Sequence, residues 1–359
     1  MRRARQRMAH RDHGVTVGVD THSDVHVAAA FTSELGRPLG HLEIATTPAG
    51  YRRLLAWARL LGDQPRFGVE GTGSYGAGLA RFLRQEGCEV IEVSRPNRQM
   101  RRARGKSDPV DAEAAARAVL SGEATGVAKR DDDLVGMIRS LRVARRSAVR
   151  GRTQVMNQMR ALILTAPAEM REQLRQLSGE QLVEIAARLR PGPITSPSAA
   201  TKLALKLLAH RHLELVAELA TLDKELDQLT ATGAPNLRSL FGVGTDVAGA
   251  LLVAAGDNPE RMRSESAFAH LCGVAPLPAS SGKTTGRHRL NRGGDRQANN
   301  ALWHIVMVRL ASHQPTKDYM ARRTREGLSK KEIIRCLKRY VAREVYRALL
   351  PSHELVRAA

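Results

Sequence analysis

The stretch VTVGVDTHSDVHVAAAF, residues 15–31, decides the fold of the N-terminal part of the chain. It holds two runs of β-branched and small apolar residues, 15–20 and 25–31, with a polar turn between them, which is the pattern of two strands. Beyond it the sequence predicts further strands at 41–46, 66–70 and 88–93, and helices at 48–61, 76–87 and 109–122. The order βββαβαβα predicts a mixed α/β sheet with helices packed on it.

The charge of the chain indicates a polyanionic partner. Among 359 residues, 57 Lys and Arg stand against 36 Asp and Glu, so the formal net charge is +21. Apolar residues make up 42% of the chain, enough to build two or three cores and to exclude global disorder. Aromatic residues are only 3%, which argues against stacking platforms for single strands and favours contacts to phosphates.

The positive charge is clustered along the chain. The clusters predict an extended nucleic-acid track, and solvated helix faces are the alternative for any single one. They lie at residues 1–14, 94–106, 139–160, 282–296 and 317–347.

Cysteine usage and hydropathy indicate the compartment. Cys88, Cys272 and Cys336 are far apart and form no CxxC pair, so neither a zinc knuckle nor a disulfide framework is expected. No run approaches the length of a membrane span, and the N-terminal arginines precede no apolar segment. We therefore expect a cytoplasmic protein with no membrane contact.

The periodicity changes after the first 125 residues. From about 131 to 230 the pattern predicts two or three long helices, interrupted at Pro167 and at 191–197. The run 205–229 has apolar residues at three and four spacing, which fits a helical hairpin, a short coiled coil or an ordinary bundle helix. A third, mostly helical region opens near 231 and ends in a basic helix at about 328–349.

Four acidic residues are candidates for a metal site. Asp20 and Glu70 each end a predicted strand, where ligands gather in open sheets. Asp108 and Asp111 are three residues apart at the start of a helix and so share a face. An all-oxygen set selects Mg²⁺ or Mn²⁺. The alternative is that Asp108 only caps the helix while Asp111 offsets its dipole.

Two nearby acids and a basic segment complete this picture. Asp24 and Glu113 rank lower as metal ligands. The segment before the Asp108 pair is a basic counterpart for a phosphate backbone. Its candidate nucleic-acid contacts are Arg98, Arg101, Arg102, Arg104 and Lys106.

The segment SLFGVGTDVAGALLVAAGD, residues 239–257, is similar to a helix-hairpin-helix element. In such an element the backbone N–H groups at a helix N-terminus hold a DNA phosphate, which here points to Gly242 and Gly244. The alternative is an ordinary tight turn between packed helices.

Residues 271–310 place hydroxyl groups among cations. Ser280 and Ser281 lie in a Gly-rich loop, and nearby cations would stabilise a pentavalent phosphate beside a serine nucleophile. Plain turn residues are the alternative, since no Ser-His-Asp order is legible. The cations are Lys283, Arg287, His288, Arg289 and Arg292.

Together these blocks resemble the DEDD transposases of the insertion sequence 110 family, the bridge-RNA-guided serine recombinases. VGVDTHSDVHVAA, FGVEGTGSYG, RRARGKSDPVDAEAAA and CGVAPLPASSGKTTGRHRLNRGGDRQANNALW match that family in order. The resemblance implies an RNase H-like (RuvC-like) domain at 1–125, a helical coiled-coil linker that dimerises at 126–232, and a mostly helical C-terminal transposase domain at 233–359.

The resemblance also implies an activity. Asp20, Glu70, Asp108 and Asp111 would hold the metal, and Ser281, or Ser280 in reserve, would form a seryl-phosphate while donor and target DNA are cut and rejoined. A structured RNA encoded by the element would choose the sites, in agreement with the sparse base-reading equipment. A homodimer, and a tetramer in the synaptic complex, is expected.

Three other classes of protein compete with this interpretation. A metal-dependent junction nuclease would use the same four acids and need no serine. An actin-like or sugar-kinase ATPase would need further Gly-rich phosphate loops, and a charge of +21 does not suit it. A non-catalytic regulator would leave converging carboxylates as a repulsive liability beside DNA.

Overall fold

The computed structural model describes residues 14–93, 107–130, 133–278, 288–290 and 293–350. The chain forms two compact units, one up to Arg130 and one from Asp131 onward. No helix in the described ranges is both long and apolar enough to cross a membrane.

The first unit is built on a six-stranded mixed sheet, in the order β3-β2-β1-β4-β5-β6. β1 pairs antiparallel with β2 and parallel with β4, and β4 pairs parallel with β5. The elements are β1 (Val15–Thr21), β2 (Val25–Thr32), β3 (Pro38–Ala45), α1 (Pro48–Leu61), β4 (Arg66–Glu70), α2 (Ala77–Gln85), β5 (Val90–Val93), α3 (Asp108–Leu120) and β6 (Gly126–Val127).

Both faces of this sheet are covered, which explains why all seven residues of β1 are buried. Val17 and Val19 pack in the core cluster that includes Leu54 of α1 and Leu79 of α2. On β2, Phe31 packs instead with Ala112 and Ala116 of α3. Helix α3 therefore covers the face opposite to α1 and α2.

The predicted order of strands and helices in this unit is confirmed, with shifts at the boundaries. β3 begins at Pro38 rather than 41, β5 begins at Val90 rather than 88, and α3 begins at Asp108 rather than 109. The short strand β6, which pairs antiparallel with β5, was not predicted. Two residues give too little pattern for sequence reasoning to detect.

The second unit is almost entirely helical within the described ranges. The predicted helix breaks near Pro167 and 191–197 fall between its helices. Its elements are α4 (Leu134–Leu164), α5 (Ala168–Leu174), α6 (Gly179–Ala187), α7 (Pro197–Gly233), α8 (Pro235–Arg238), α9 (Thr245–Ala255), a 3₁₀ turn (Pro259–Arg261), α10 (Glu265–Leu271), β7 (Pro276–Pro278), β8 (His288–Leu290), α11 (Arg296–Ser312), α12 (Gln314–Arg325) and α13 (Lys330–Leu349).

Helices α4 and α7 form an antiparallel hairpin within the chain. Leu134 at the start of α4 lies against Gly233 at the end of α7, and Gly151 lies against Leu215 in the middle. The predicted run 205–229 is thus part of a helical hairpin, while pairing between two chains stays a prediction.

A core cluster joins the hairpin to the rest of the second unit. It contains Ile138 of α4 and Leu226 of α7 together with Leu251, Phe268 and Leu302 of the following helices. The boundary at 232/233 between a linker and a C-terminal domain stays a prediction. Residues from both sides of this boundary share the core cluster.

Candidate active site

Asp20 stands at the carboxyl end of β1 and is only 7% exposed. Val19 is in register with Val69, so Asp20 and Glu70 occupy neighbouring positions where the two parallel strands end. The Thr21 hydroxyl donates to the Glu70 carbonyl oxygen at 2.9 Å and ties these ends together. The sheet therefore places both predicted strand-end acids at one edge.

Helix α3 reaches this edge because Gly18 of β1 has no side chain. A Cβ at Gly18 would overlap the backbone of Ala112 and Ala116, so only glycine allows the helix to lie this close to the strand. The N-cap of α3 is Ser107, and Asp108 is already helical, so the alternative that Asp108 caps the helix is wrong. The carboxylate of Asp108 is thereby available to the site.

His22 bridges the two acids and was missed by sequence reasoning. Its Nε2 lies 3.2 Å from Asp20 Oδ2 and 3.5 Å from Asp108 Oδ1. One ligand atom from each of these three residues lies within 4.8 Å of the others. The available signal was its position two residues after Asp20, because alternate residues of an extended segment share a face.

The backbone of His22 is held in place from two sides. Its N–H donates to the Val25 carbonyl at 3.2 Å and to His26 Nδ1 at 3.3 Å. The His26 ring is fully buried and stacks on Tyr51 with centroids 5.9 Å apart. Burial lowers the pKa of His26, which favours the neutral ring that accepts the hydrogen bond from the His22 N–H.

The pKa of Asp20 is affected by its burial and by the charged groups around it. Burial raises the pKa of Asp20, His22 opposes that rise, and the charges of Asp111 and Asp108 add to it, so that the pKa is raised overall. A divalent cation would relieve this crowding, and carboxylate oxygens are the ligands that Mg²⁺ and Mn²⁺ prefer. The residues present therefore fit such a cation.

The remaining predicted acids are close but outside the group of three. Asp111 is 5% exposed and acts on Asp20 through its charge, while Glu70 is half-buried at the end of β4. The two lower-ranked acids have other partners. Asp24 accepts from the Ser23 hydroxyl at 2.9 Å, and Glu113 lies 3.1 Å from His41 Nε2.

Most of the predicted nucleic-acid contacts and both serines fall outside the described residues. Only the backbone of Arg289, within β8, and the two glycines of the turn before α9 are described. Those outside are Arg98, Arg101, Arg102, Arg104, Lys106, Ser280, Ser281, Lys283, Arg287 and Arg292.

The turn before α9 has the conformation that its glycines allow. Gly242 has φ +85°, a left-handed value that favours glycine, and Gly244 is the N-cap of α9 with open space around it. Asp246 lies in the first turn of α9, and Asp227 accepts from the Thr245 hydroxyl at 2.6 Å. These carboxylates already offset the helix dipole, and phosphate binding at this turn stays a prediction.

Part of the basic cluster 139–160 stabilises the fold instead of facing solvent. Arg142, 7% exposed at its side chain, lies 2.9 Å from Asp246 Oδ1. Arg145 pairs with both Asp223 and Asp246. These two arginines fasten α4 to α7 and α9, so this cluster provides fewer cations for nucleic acid than its charge suggests.

The described ends of the segment that carries Ser281 are fastened together. Gly294 lies so close to the backbone of Gly273 that a Cβ there would overlap it. The side-chain amide of Asn299 donates to the carbonyls of Cys272 and Gly273 at 2.8 and 3.1 Å, and its Oδ1 accepts from Lys338 Nζ at 2.9 Å. Residues 273 and 294, which flank this segment, thus lie against one another.

Two titratable residues that contact Asn299 are buried. Burial, together with the charge of Arg335, lowers the pKa of Lys338, which is 7% exposed. Burial also raises the pKa of Cys272 to about 12, so its thiol stays protonated and unreactive.

The mixed sheet and the cluster of Asp20, His22 and Asp108 at its edge are compatible with an RNase H-like enzyme that uses a divalent metal, and comparison with known proteins identifies the family. Residues 17–166 match the transposase family model of the IS110 DEDD group, and residues 234–321 match the model described as "Transposase IS116/IS110/IS902 family". The chain belongs to the IS110 family of insertion-element transposases, enzymes that act on DNA. The resemblance found in the sequence is confirmed.

One relative extends the match over nearly the whole chain. It is the "Insertion element IS116 uncharacterized 44.8 kDa protein" of Streptomyces clavuligerus, 24% identical over 368 residues. The match covers 89% of this chain and 91% of the relative.

Proposed function

We propose that this transposase cuts and rejoins donor and target DNA with a divalent cation held by its four acids and with Ser281 as the nucleophile. The observation that carries the proposal is the convergence of Asp20 and Asp108 on His22 at the carboxyl end of β1. The buried acids Asp20 and Asp111 add to this convergence, because buried like charges are costly and a site that keeps them together is typical of cation binding.

The four acids approach the proposed cation site from β1, β4 and α3. Asp20 and Asp108 face one another across His22, and the charge of Asp111 acts on Asp20 from the same helix as Asp108. Glu70 stands at the neighbouring strand end. Mg²⁺ or Mn²⁺ bound there would neutralise the charge that develops on the phosphate during strand cleavage.

The serine step conserves the energy of the phosphodiester. The Ser281 hydroxyl loses its proton and its oxygen forms a bond to phosphorus, while one phosphorus–oxygen bond of the DNA backbone breaks and the leaving sugar oxygen takes up a proton. The reverse attack by a sugar hydroxyl restores a phosphodiester and frees the serine. The support for this role is the resemblance of residues 271–310, which carry Ser281 among cations, to the family, and the match of residues 234–321 to the family's second model.

Sequence choice is proposed to rest on an RNA encoded by the element, acting with a dimeric or tetrameric protein. The support is the resemblance to the guided recombinases and the net charge of +21 with only 3% aromatic residues. Sequencing the RNA that copurifies with the protein tests this part. A single structured RNA is expected, and a random mixture of cellular RNA would contradict it.

Trapping the covalent intermediate tests the serine assignment. Reactions stopped under denaturing conditions should contain DNA attached to protein and released by protease. Ser281→Ala should lose this species and recombination, whereas the matched control Ser280→Ala should retain both.

The opposite pattern would move the nucleophile to Ser280. If neither change matters and the cut ends carry free hydroxyl and phosphate groups, the protein is a junction-type nuclease that uses only its metal site.

A further inference from the structure

The ring of His22 stands between two acids rather than beside one. Its Nε2 is 3.2 Å from Asp20 Oδ2 and 3.5 Å from Asp108 Oδ1. We propose that His22 Nε2 is a direct ligand of the divalent cation, together with the carboxylates of Asp20 and Asp108. This assignment rests on the metal site of the proposed function and adds a nitrogen to a donor set otherwise made of oxygens.

The spacing of the three groups suits a coordination shell. Ligand atoms about 2.1 to 2.2 Å from an octahedral ion are about 3 Å apart when they are neighbours. Both distances from His22 Nε2 are near this value. A nitrogen that only donated one hydrogen bond would face one acceptor, whereas this nitrogen is flanked by carboxylate oxygens from two separate elements, β1 and α3.

The histidine is also positioned in advance. Two hydrogen bonds hold its backbone N–H, one of them to the fully buried His26 ring. Its own ring is 47% exposed at the side chain, so it is accessible to an ion from solvent. Asp20, in contrast, is buried and fixed at a strand end, so the site combines one immobile acid with two accessible ligands.

A second histidine of the same unit provides the matched control. His41 Nε2 lies 3.1 Å from a single carboxylate, that of Glu113, and its side chain is 42% exposed, nearly the exposure of His22. This is an ordinary histidine–carboxylate pair, and it lies outside the group of three donor residues. His41→Ala therefore removes a comparable imidazole without touching the proposed ligand set.

A nitrogen ligand changes which cation the site prefers. Affinity of a nitrogen-containing site rises from Mn²⁺ along the first transition row, whereas Mg²⁺ favours oxygen ligands and water. Loss of the imidazole should therefore weaken Mn²⁺ binding more than Mg²⁺ binding. Only a direct ligand predicts this difference between the two ions.

The experiment measures metal binding by the full-length protein, freed of any histidine tag, without DNA. Mn²⁺ titration followed by electron paramagnetic resonance should give an affinity that falls about 10-fold to 100-fold in His22→Ala and is unchanged in His41→Ala. Electron spin-echo modulation from an imidazole nitrogen should be present in wild type and His41→Ala and absent in His22→Ala. His22→Gln, measured with its melting temperature, repeats the test with a side chain closer in size.

The outcomes separate this inference from the proposed function. Wild-type Mn²⁺ binding that is lost in Asp20→Asn but unchanged in His22→Ala, with nitrogen modulation retained, overturns the His22 assignment and leaves the acidic site standing. A wild-type protein that binds no Mn²⁺ overturns both. Weaker Mn²⁺ binding in His22→Ala and His22→Gln, with nitrogen modulation lost and folding intact, supports the assignment.

Discussion

The acidic edge of the first unit, where Asp20, Glu70, Asp108 and Asp111 lie, differs from the ion pairs of the second unit in the direction in which carboxyl pKa values are shifted. In the first unit, burial and the neighbouring carboxylates raise the pKa of Asp20. In the second unit, a hydrogen bond from Thr245 and the charge of Arg238 lower the pKa of Asp227. Burial alone would raise the pKa of Glu265, but hydrogen bonds from Arg343 and Arg339 outweigh it and lower that pKa.

This contrast separates charges that stabilise the fold, such as that of Arg309, from charges that are candidates for function, such as that of Asp20. Arg309, 7% exposed, donates to both carboxylate oxygens of Glu344 and to the Phe241 carbonyl, so its charge is fully used within the protein. Asp20 is as buried as Arg309 but stands among other acids. Clustered acids with perturbed pKa values are candidates for a functional site, whereas acids paired with arginines are typical of structural ion pairs.

The largest effect is expected at Asp20. Asp20→Asn should lower the rate of strand cleavage by about 10³-fold or more, because it removes a ligand charge from a group that acts as a unit. The melting temperature should not fall, because the change also relieves repulsion from Asp108 and Asp111. Cleavage assays and calorimetry on the same preparations check both expectations.

Asp24→Asn is the control for this prediction. Asp24 lies four residues further along and its hydrogen bond comes from Ser23, so the change should leave cleavage nearly intact. Equal losses in both variants would show that the acidic edge has no special role.

For the ion pairs of the second unit, we predict a loss of stability when the Arg309 side chain is removed. Arg309→Ala should lower the free energy of unfolding by about 2 to 3 kcal/mol, because three hydrogen bonds of a buried guanidinium and its ion pair with the exposed Glu344 are lost. Urea denaturation of the wild type and the variant measures this change in the free energy of unfolding.

Arg322→Ala supplies the matched surface pair. Arg322 is 62% exposed and 3.8 Å from Glu326, so its loss should cost about 0.5 kcal/mol or less. If both variants lose the same amount, burial is not what distinguishes these pairs.

Gly18 tests how the acidic edge is assembled. Gly18→Ala should cost about 1 to 3 kcal/mol and weaken Mn²⁺ binding, because the added methyl group pushes α3 and its acids away from β1. Gly73→Ala, where a Cβ meets nothing within 4 Å, should be neutral or slightly stabilising. Unchanged Mn²⁺ binding in Gly18→Ala would show that the position of α3 does not matter.

The smallest effect is expected at Glu265, and it depends on pH. A pKa lower in the folded state means that Glu265 stabilises the fold above the pKa of an unfolded glutamate, and that this contribution disappears as the pH falls through the folded pKa. Glu265→Gln should therefore cost about 1 kcal/mol or less at pH near 7 and less than that at pH near 3. Denaturant midpoints at the two pH values check this, and an equal loss at both would disprove the ion-pair explanation.

Sequence reasoning found the acids but missed their neighbour. Asp20 and Glu70 were recognisable because each ends an apolar strand, and strand ends of parallel neighbours meet at one edge. His22 gave no such signal, because its role depends on α3 placing Asp108 within 3.5 Å of the ring. Its significance arises from an element that begins 86 residues later in the chain.

The basic clusters are a second case in which the sequence alone did not reveal the role of a residue. Counting charge identified 139–160 as a candidate contact for nucleic acid, yet Arg142 and Arg145 pair with acids of α7 and α9. Net charge reports how many cations a segment carries, and only packing shows how many of them are already neutralised.

Local periodicity and motifs read along the chain were sufficient to predict the strands and helices of the first unit except β6, the helical second unit and the family. The packing of the chain was needed to show that Ser107 caps α3, that His22 lies between Asp20 and Asp108, and that Arg142 and Arg145 of α4 pair with acids of the same unit. These depend on distances between residues remote in sequence, which close packing fixes and local pattern does not encode.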